Sequence, residues 1–384
     1  MAPKFKHFDL KLIEPSFDSG LTDLVIEMDH LRKKQLAGTT PPLVFFQLKN
    51  LFHMLESLCS ARIEGNRTTL AEIIENRLEG AFPVDEKMRE IINMEEAMNF
   101  IDENVQTFSL NQAFISELHR LTVKDLTPPP KGEGDITPGV YRQKNVSIAG
   151  SNHKPPEYLQ VNDYMDELIK FINQSDSPKY DLIKTAIAHH RFVWIHPFNN
   201  GNGRTVRWIT YALLVKQGFH VDKGRILNPA AVFCNDRNKY YEQLAAADSG
   251  NEKGILSWCE YVLSGLKQEI EKIDRLTEYK YLKKEIIVPA IIFAQEREVI
   301  TDIEAKVLKK AAELGRIGAS DIRDVFPGKA PAEISRQIAR LRDRKMLQPE
   351  KEKSRKYVIR FDNNYLLRGI IMYLGKKRFL PVKD

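Results

Sequence analysis

The chain has 384 residues, of which 42% are hydrophobic and 29% are charged, a balance typical of folded globular proteins and not of disordered ones. Its three cysteines, Cys59, Cys234 and Cys259, have neither zinc-ligand spacing nor the pattern of a disulfide framework, which favours a reducing compartment. The N-terminus lacks the apolar run of a signal peptide, and the longest apolar stretch is too short to span a bilayer. We therefore expect a cytoplasmic protein without a membrane partner.

The positive charge is distributed unevenly along the chain. The formal net charge is +6, yet residues 301–384 contain 21 basic and 11 acidic side chains, a local balance of +10. The rest of the chain has a net charge of −4. This asymmetry favours a polyanionic partner for the C-terminal segment.

The N-terminal third of the chain is predicted to be helical. Apolar side chains recur at helical intervals after a proline pair at residues 41–42, and two further amphipathic helices are predicted over 68–82 and 85–104. The recurring side chains are Phe46, Leu48, Leu51, Leu55 and Leu58. We expect an N-terminal helical domain over residues 1–109.

The middle of the chain alternates between loops and helices. A stretch rich in proline and glycine over 127–139 predicts a loop, and weak alternation over 140–148 predicts a small β-hairpin. Helical periodicity returns over 158–194, and another helix is predicted over about 202–217, where Gly218 ends it.

The last part of the chain is predicted to contain helices over 255–280, 302–314, 319–325 and 331–345, followed by a hairpin over 347–361. This order resembles a winged helix. The fold class is therefore mainly α with minor β elements, and we expect domain boundaries that give 110–281 as a core and 282–384 as a winged-helix domain.

The most informative segment runs from His196 to Arg207 and reads HPFNNGNGRTVR. Its two glycines allow backbone N–H groups to turn toward a ligand, and the N-terminus of the following helix adds partial positive charge. The guanidinium groups of Arg204 and Arg207 lie within the first turns of that helix, so the segment suits several phosphates. The imidazole of His196 is suited to accept a proton near neutral pH.

This segment resembles the Fic family, whose pattern is HPFx(D/E)GNGRxxR. Every fixed position matches except Asn200, where the family has an acidic residue. The segment 138–142 with the residues up to Pro156 resembles the family's flap hairpin, and Tyr240–Tyr241 resembles its adenine-pocket tyrosines. The resemblance covers roughly residues 110–265 and implies a helical core with a β-hairpin flap.

The resemblance implies an adenylyltransferase that moves AMP from ATP to a Ser, Thr or Tyr hydroxyl of a protein. His196 would be the general base, and Arg204 and Arg207 would bind the β- and γ-phosphates. Asn200 would be a weakened ligand of Mg²⁺, with Mn²⁺ as the alternative metal. The implied ATP-binding residues are Asn200, Gly201, Asn202, Gly203, Arg204, Thr205, Arg207, Tyr240, Tyr241, Ile148, Ala149 and Gly150.

A second motif, Ser60-Ala-Arg-Ile-Glu64-Gly65, resembles the inhibitory motif (S/T)xxxE(G/N) of the same family. On its own the spacing fits an ordinary helix end, because Ser60 and Glu64 lie one turn apart and Gly65 suits the position after a helix. Beside a Fic core, the resemblance implies that Glu64 pairs with Arg207 and keeps ATP from binding productively.

In the predicted winged helix, Ile334, Ile338 and Leu341 face inward. A row of arginines, Arg336, Arg340 and Arg344, lies on the opposite side and fits a DNA major groove. Many winged helices bind proteins instead, so duplex DNA and a protein partner both remain open for this face.

Two alternatives to an autoinhibited transferase remain at this point. One is a DNA-binding regulator whose core senses nucleotide and transfers little AMP, which the change at Asn200 keeps open. The other is the reverse reaction, removal of AMP from a modified protein. The target protein and the oligomeric state, a homodimer included, cannot be read from the residues.

Overall fold

A computed structural model describes residues 5–33, 38–79, 84–219 and 227–380, which contain sixteen α-helices and one two-stranded antiparallel sheet. The chain forms two compact units that interleave along the sequence. The first consists of Met1–Gln35, His53–Thr68 and Pro83–Glu271, and the second of Leu36–Phe52, Thr69–Phe82 and Lys272–Asp384. The mainly helical fold class is confirmed, and the three-domain division at 109/110 and 281/282 stays a prediction.

The elements described for the first unit are helices, joined by loops of which the longest lies between α5 and α6. It contains α1 (Gly20–Lys33), the last part of α2 (Pro42–Ile63), α4 (Glu86–Asn104), α5 (Gln112–Thr122), α6 (Val161–Asn173), α7 (Asp181–Ile195), α8 (Asn202–Lys216), α9 (Pro229–Asn235), α10 (Arg237–Ala247) and most of α11 (Glu252–Asp274).

Helices α7 and α8 pack against each other at the centre of the first unit, and nearly all of their side chains are buried. All three tryptophans, Trp194, Trp208 and Trp258, lie in this core, and Trp258 donates to the Ala186 carbonyl of α7 at 2.6 Å. A tightly packed core of this kind holds the loop between α7 and α8 in one conformation.

The second unit contains the first part of α2, α3 (Leu70–Glu79), α12 (Tyr279–Leu282), α13 (Val288–Glu296), α14 (Asp302–Leu314), α15 (Pro331–Asp343), β1 (Leu347–Pro349), β2 (Tyr357–Ile359) and α16 (Leu367–Lys376). A π-helical turn, Lys283–Ile287, joins α12 to α13, and a 3₁₀ helix, Ala319–Val325, lies between α14 and α15. The helices predicted over 302–314, 319–325 and 331–345 and the following hairpin are confirmed, whereas α13 and α16 were not predicted.

Side-chain contacts join the hairpin of the second unit to α2. The Gln47 amide donates to the Ile359 carbonyl at 3.1 Å and accepts from the Phe361 N–H at 2.8 Å. Of the α2 side chains that recur at helical intervals, Leu48, Leu51, Leu55 and Leu58 are buried and Phe46 is exposed.

The helices over 68–82 and 85–104 are confirmed as α3 and α4, although residues 80–83 lie outside the described residues. Asp85 caps α4 by accepting from the Met88 N–H at 2.8 Å, as expected of an aspartate at this position. The predicted hairpin over 140–148 does not form, because this segment contains no strand and is a loop. No described helix is both long enough and apolar enough to cross a membrane.

Candidate functional site

The site is built where α7 ends and α8 begins. His196 follows α7 in the left-handed conformation (φ 52°), and Gly201 takes the same conformation (φ 74°) just before α8. A side chain at Gly201 would meet Val123 Cγ1 at 2.8 Å, so glycine suits both the backbone and the space. The loop reverses the chain and leaves the first N–H groups of α8 facing outward from the helix end.

The side chains of Asn202 and Thr205 form hydrogen bonds with the backbone of the loop between α7 and α8. The Asn202 amide accepts from the Phe198 N–H at 2.9 Å and donates to the Phe198 carbonyl at 2.9 Å. The Thr205 hydroxyl donates to the Gly201 carbonyl at 2.9 Å. These two side chains therefore stabilise the loop. Because the Thr205 N–H also donates to the Gly201 carbonyl at 3.0 Å, a phosphate contact from this pair of residues falls to the backbone N–H of Asn202.

The second glycine of the loop lies directly beneath a carboxylate. A Cβ atom at Gly203 would come within 2.2 Å of Glu64 Oε1, so a larger residue here would displace this carboxylate oxygen. Glu64 follows α2, and its carboxylate is thus held at the N-terminus of α8, where anions are favoured by the helix dipole and free N–H groups.

Arg207 contacts Ser60 and Glu64, the two residues of the motif that the resemblance relates to inhibition. Its Nη2 donates to Glu64 Oε1 at 2.8 Å and to the Ser60 carbonyl at 2.9 Å, and its Nε donates to the Ser60 hydroxyl at 2.8 Å. Burial raises the pKa of the Glu64 carboxyl, but the charges of Arg207 and Arg204 outweigh it and hold this pKa below its usual value. Glu64 is therefore ionised at neutral pH.

Arg204 and Arg207, in the first turns of α8, each have a guanidinium N–H donor that forms no hydrogen bond with the described residues. Arg204 and Arg207 are fully buried, and Arg204 Nε and Arg207 Nη1 have no hydrogen-bond partner among the described residues. A buried guanidinium donor without a partner is unfavourable, and a phosphate oxygen is a suitable acceptor for it. The pair is therefore suited to an anion with several oxygens.

Burial is the main influence on His196. It lowers the pKa of the imidazole to about 4, assisted by the nearby positive charge of Arg142 and opposed by a backbone contact with Val193. The imidazole is therefore neutral at pH 7 and has a nitrogen lone pair with which it can accept a proton.

Arg142, the last residue of the predicted flap motif 138–142, connects the flap loop to the end of α7. Its Nε donates to the His196 carbonyl at 2.9 Å, its Nη1 to the Lys144 carbonyl at 3.0 Å and its Nη2 to the Pro156 carbonyl at 2.6 Å. Other bonds hold the same loop, since the Arg142 N–H donates to the Pro197 carbonyl at 2.8 Å and His153 Nε2 lies 2.8 Å from the Trp194 carbonyl.

The tip of that flap, Ile148–Gly150, forms a turn in which the Ser151 N–H donates to the Ile148 carbonyl at 3.2 Å. Ala149 and Gly150 at this tip are exposed. The predicted contact of the tip with ATP stays a prediction.

The two predicted adenine-pocket tyrosines have different surroundings. Tyr240 is buried, and its hydroxyl lies 3.0 Å from His189 Nε2, while His189 Nδ1 lies 2.7 Å from the Thr210 hydroxyl of α8. Tyr241 is 41% exposed. Tyr241 is thus the one of the two whose ring can meet a ligand, and Tyr240 supports it at a ring distance of 5.2 Å.

Sequence reasoning missed two residues that hold the loop from outside. His119 of α5 accepts from the Gly139 N–H at Nδ1 (2.8 Å), and its Nε2 lies 3.0 Å from the Asn200 carbonyl, stacked on Phe198 at 3.7 Å. Asp135 accepts from the Asn200 N–H at 2.9 Å. The proline and glycine content of 127–139 predicted the loop that contains Asp135 but gave no signal for its contact with residue 200, and His119 lies outside this stretch.

The buried position of His119 predicts a pH dependence of stability. Burial lowers the pKa of His119 to about 4, and its bond from the Gly139 N–H requires a neutral ring. The unfolded chain binds a proton near pH 6.5 and the folded chain does not, so stability is lost as pH falls from about 6.5 toward 4. The free energy of unfolding should be about 1–2 kcal/mol lower at pH 5 than at pH 7 from this residue alone.

Urea unfolding of the wild type and of His119→Gln at both pH values measures this contribution. The variant should lose about 1–2 kcal/mol of the difference between pH 7 and pH 5. An equal pH difference in the two proteins would contradict the assignment.

The predicted DNA-binding arginines all lie in the second unit. Arg336 and Arg340 are exposed on α15, opposite the buried Ile334, Ile338 and Leu341, as predicted. Arg344 differs, because it follows the end of α15, pairs with Glu304 and stacks on the Tyr365 ring. Its guanidinium is therefore engaged within the second unit.

The described residues contain no group of three or more His, Cys, Asp or Glu side chains that could hold a metal ion. All three cysteines are free, in agreement with their spacing. His189 and His190 serve packing and support, since His190 lies 3.0 Å from the Asp248 carboxylate.

Comparison with known proteins agrees with this geometry. Protein adenylyltransferase Fic of Drosophila yakuba is 32% identical over 197 residues, which cover 50% of this chain and 36% of that protein. The Drosophila virilis protein of the same name is 30% identical over 197 residues, with 37% of its length covered. The alignments thus span little more than a third of these relatives.

Among solved structures, a Fic family protein from Desulfovibrio desulfuricans G20 has a TM-score of 0.54 at 17% identity and covers 88% of this chain and 94% of its own. Fic-1 from C. elegans (residues 134–508) has a TM-score of 0.52 at 21% identity and covers 66% of this chain and 71% of its own. Both share the fold of this chain. Residues 109–214, which contain the loop between α7 and α8, match the Fic/DOC family.

Proposed function

We propose that the chain transfers AMP from ATP to a Ser, Thr or Tyr hydroxyl of a protein and that Glu64 inhibits this transfer. The observation that carries the proposal is the carboxylate of Glu64 beneath Arg207 and over Gly203, in a cradle of helix N–H groups that suits a phosphate. The name shared by the Drosophila relatives, protein adenylyltransferase Fic, supports the same activity.

In the proposed reaction the neutral imidazole of His196 accepts the proton of the target hydroxyl. The oxygen attacks the α-phosphorus, the new P–O bond forms, and the bond to the β-phosphate oxygen breaks, so that pyrophosphate leaves. The N–H groups of residues 201–203 bind phosphate oxygens, and Arg204 and Arg207 stabilise the charge on the leaving group.

The flap loop contributes by positioning the target. Arg142 fixes this loop relative to the His196 carbonyl, so a target segment that binds along the flap is held at a set distance from the base. Fixing the acceptor in this way lowers the entropic part of the barrier.

Inhibition follows from the position of the Glu64 carboxylate. Arg207 Nη2 cannot donate along the same direction to Glu64 and to a γ-phosphate, and the two anions repel each other. ATP therefore binds in an unproductive arrangement until Glu64 leaves the cradle.

The contacts of Asn200 are compatible with a role as a weak ligand of a metal ion. Its backbone N–H donates to Asp135 and its Nδ2 to the Gly134 carbonyl at 3.1 Å, which leaves the Oδ1 oxygen to face a cation. Carbonyl oxygens are acceptable Mg²⁺ ligands, although a carboxylate is stronger. When bound with ATP, Mg²⁺ or Mn²⁺ would neutralise phosphate charge. A purely helix-capping role does not fit, because Gly201 occupies the N-cap position of α8.

Replacing Asn200 with aspartate in a Glu64→Gly background should lower the Mg²⁺ concentration needed for half-maximal labelling several-fold, because a charged oxygen ligand replaces a neutral one. Mg²⁺ titrations of both proteins measure the change, and Mn²⁺ should partly rescue the unaltered loop. Titration curves that superimpose would contradict a metal role for residue 200.

Labelled ATP tests the proposed function. Incubation with ATP labelled at the α-phosphate should transfer label to protein, whereas label at the γ-phosphate should not be transferred. Binding of ATP without transfer would favour a nucleotide-sensing regulator, and loss of AMP from a labelled target would favour the reverse reaction.

A second candidate function concerns the basic C-terminal segment. The helices α14 and α15 and the two-stranded hairpin have the order of a winged helix, and Arg336 and Arg340 are exposed on α15. These observations support duplex DNA as a second partner, with binding that weakens as salt increases.

A further inference from the structure

The contacts of Arg204 differ from those of Arg207, although both arginines lie in the first turns of α8. Arg204 Nη1 donates to Glu90 Oε1 at 2.8 Å, and Nη2 donates to the Glu133 carbonyl at 2.6 Å. Glu90 lies on α4 and is only 3% exposed, and Arg204 is fully buried. A buried charge is stable only when it is paired, so this pairing determines where the Arg204 guanidinium points.

The carboxylate of Glu90 is itself held from the other side. Its Oε2 accepts from Asn66 Nδ2 at 2.7 Å, and the same Nδ2 donates to the Lys87 carbonyl at 3.0 Å. The Asn66 Oδ1 accepts from the Thr68 N–H at 2.9 Å. Asn66 is buried and makes contacts through both atoms of its amide, so its orientation is fixed.

Asn66 lies two residues after Glu64, in the segment that carries the inhibitory motif. The chain therefore contacts both arginines from one short stretch: Ser60 and Glu64 bind Arg207 directly, and Asn66 reaches Arg204 through Glu90. The sequence motif accounts for the first of these contacts and contains no signal for the second.

We propose that Glu90 is a positioning residue, which aims the Arg204 guanidinium at the triphosphate and, through Asn66, links that orientation to the inhibitory segment Ser60–Asn66. The inference rests on the proposed function. Glu90 acts on ATP only through Arg204, because its two oxygens are used by Arg204 and Asn66.

The test measures ATP binding in the full chain with Glu64→Gly and His196→Ala, which relieves inhibition and prevents transfer. Adding Glu90→Gln should weaken ATP binding about tenfold by calorimetry, because the charge-assisted bond that orients Arg204 is lost. Glu96→Gln is the matched control on the same helix, since Glu96 pairs with Lys124 at 3.1 Å, and it should leave ATP binding unchanged.

Kinetics in the Glu64→Gly protein, with His196 intact, separate positioning from a structural role. Glu90→Gln should raise the KM for ATP about tenfold and change kcat less, because Arg204 binds phosphate before the chemical step. Asn66→Ala removes the bond to Glu90 Oε2, along with the bonds of Asn66 to Lys87 and Thr68, but keeps the bond between Glu90 and Arg204. It should raise the KM in the same direction by a smaller factor. The variant with both Glu90→Gln and Asn66→Ala should have the same KM as Glu90→Gln, because both changes act through the Glu90 side chain.

Each outcome decides the inference. A Glu90→Gln protein with a lower melting temperature but unchanged ATP affinity would show a structural role only and overturn it. Tighter ATP binding would also overturn it, because Glu90 would then compete with phosphate for Arg204. If Glu90→Gln does not fold, an unchanged ATP affinity in Asn66→Ala overturns it. If the Glu64→Gly, His196→Ala protein itself does not bind ATP, the proposed function fails together with the role of Glu90. If that protein binds ATP and Glu90→Gln has no effect, only the role of Glu90 fails.

Discussion

Replacing Glu64 with glycine is expected to increase AMP incorporation from ATP about 10- to 100-fold. The Glu64 carboxylate lies 2.8 Å from Arg207 Nη2 and directly over Gly203, so its removal frees the guanidinium and the helix N-terminus at once. A charge-assisted hydrogen bond of about 1.5–3 kcal/mol corresponds to a change of this size. Transfer of the α-phosphate label to the protein itself measures the rate.

Glu64→Gln serves as the graded variant in this experiment. Its amide keeps the shape of the carboxylate but lacks the charge, so its rate of incorporation should lie between those of the wild type and the glycine variant. If Glu64→Gly is folded and labels no faster than the wild type, the inhibitory role of Glu64 is wrong.

Replacing His196 with alanine in the Glu64→Gly background should reduce AMP incorporation by at least about 10²- to 10⁴-fold, the usual contribution of a positioned general base. The effect should fall on kcat, and ATP should still bind, because the arginines and loop N–H groups are unchanged. A variant that keeps its kcat would exclude His196 as the base.

The pH profile of the same reaction adds an independent readout. Burial lowers the pKa of His196 to about 4, so the imidazole is neutral above this pH and the rate should fall only as pH decreases through about 4. An acid limb near pH 6.5 would instead indicate a solvated histidine.

Local sequence determined the parts of the site that lie close together in the chain. Gly201 and Gly218 mark the two ends of α8 because both adopt positive φ, a conformation that glycine favours. The buried stripe of α15 followed from its helical spacing in the same way. The pairing of Glu64 with Arg207 came from a family motif, since 143 residues separate them.

The predicted flap hairpin failed for a physical reason. The alternation over 140–148 is weak, and the carbonyl groups of Lys144 and Pro156 bind the Arg142 guanidinium in place of a partner strand. His119 and Glu90 also escaped prediction, because tertiary packing brings them to the loop from 81 and 114 residues away. Neither has a local pattern that distinguishes it from an ordinary helical residue.

The contacts of Arg142 have a consequence for how target recognition could change under the proposed function. Arg142 binds the flap through the main-chain carbonyls of Lys144 and Pro156, and these two bonds do not depend on exposed flap side chains such as those of Ser147 and Ala149. His153 differs, because it is buried and its Nε2 lies 2.8 Å from the Trp194 carbonyl. If the chain transfers AMP as proposed, substitutions at the exposed flap positions would alter which protein segment binds, while Arg142 and His153 keep the flap in place relative to His196.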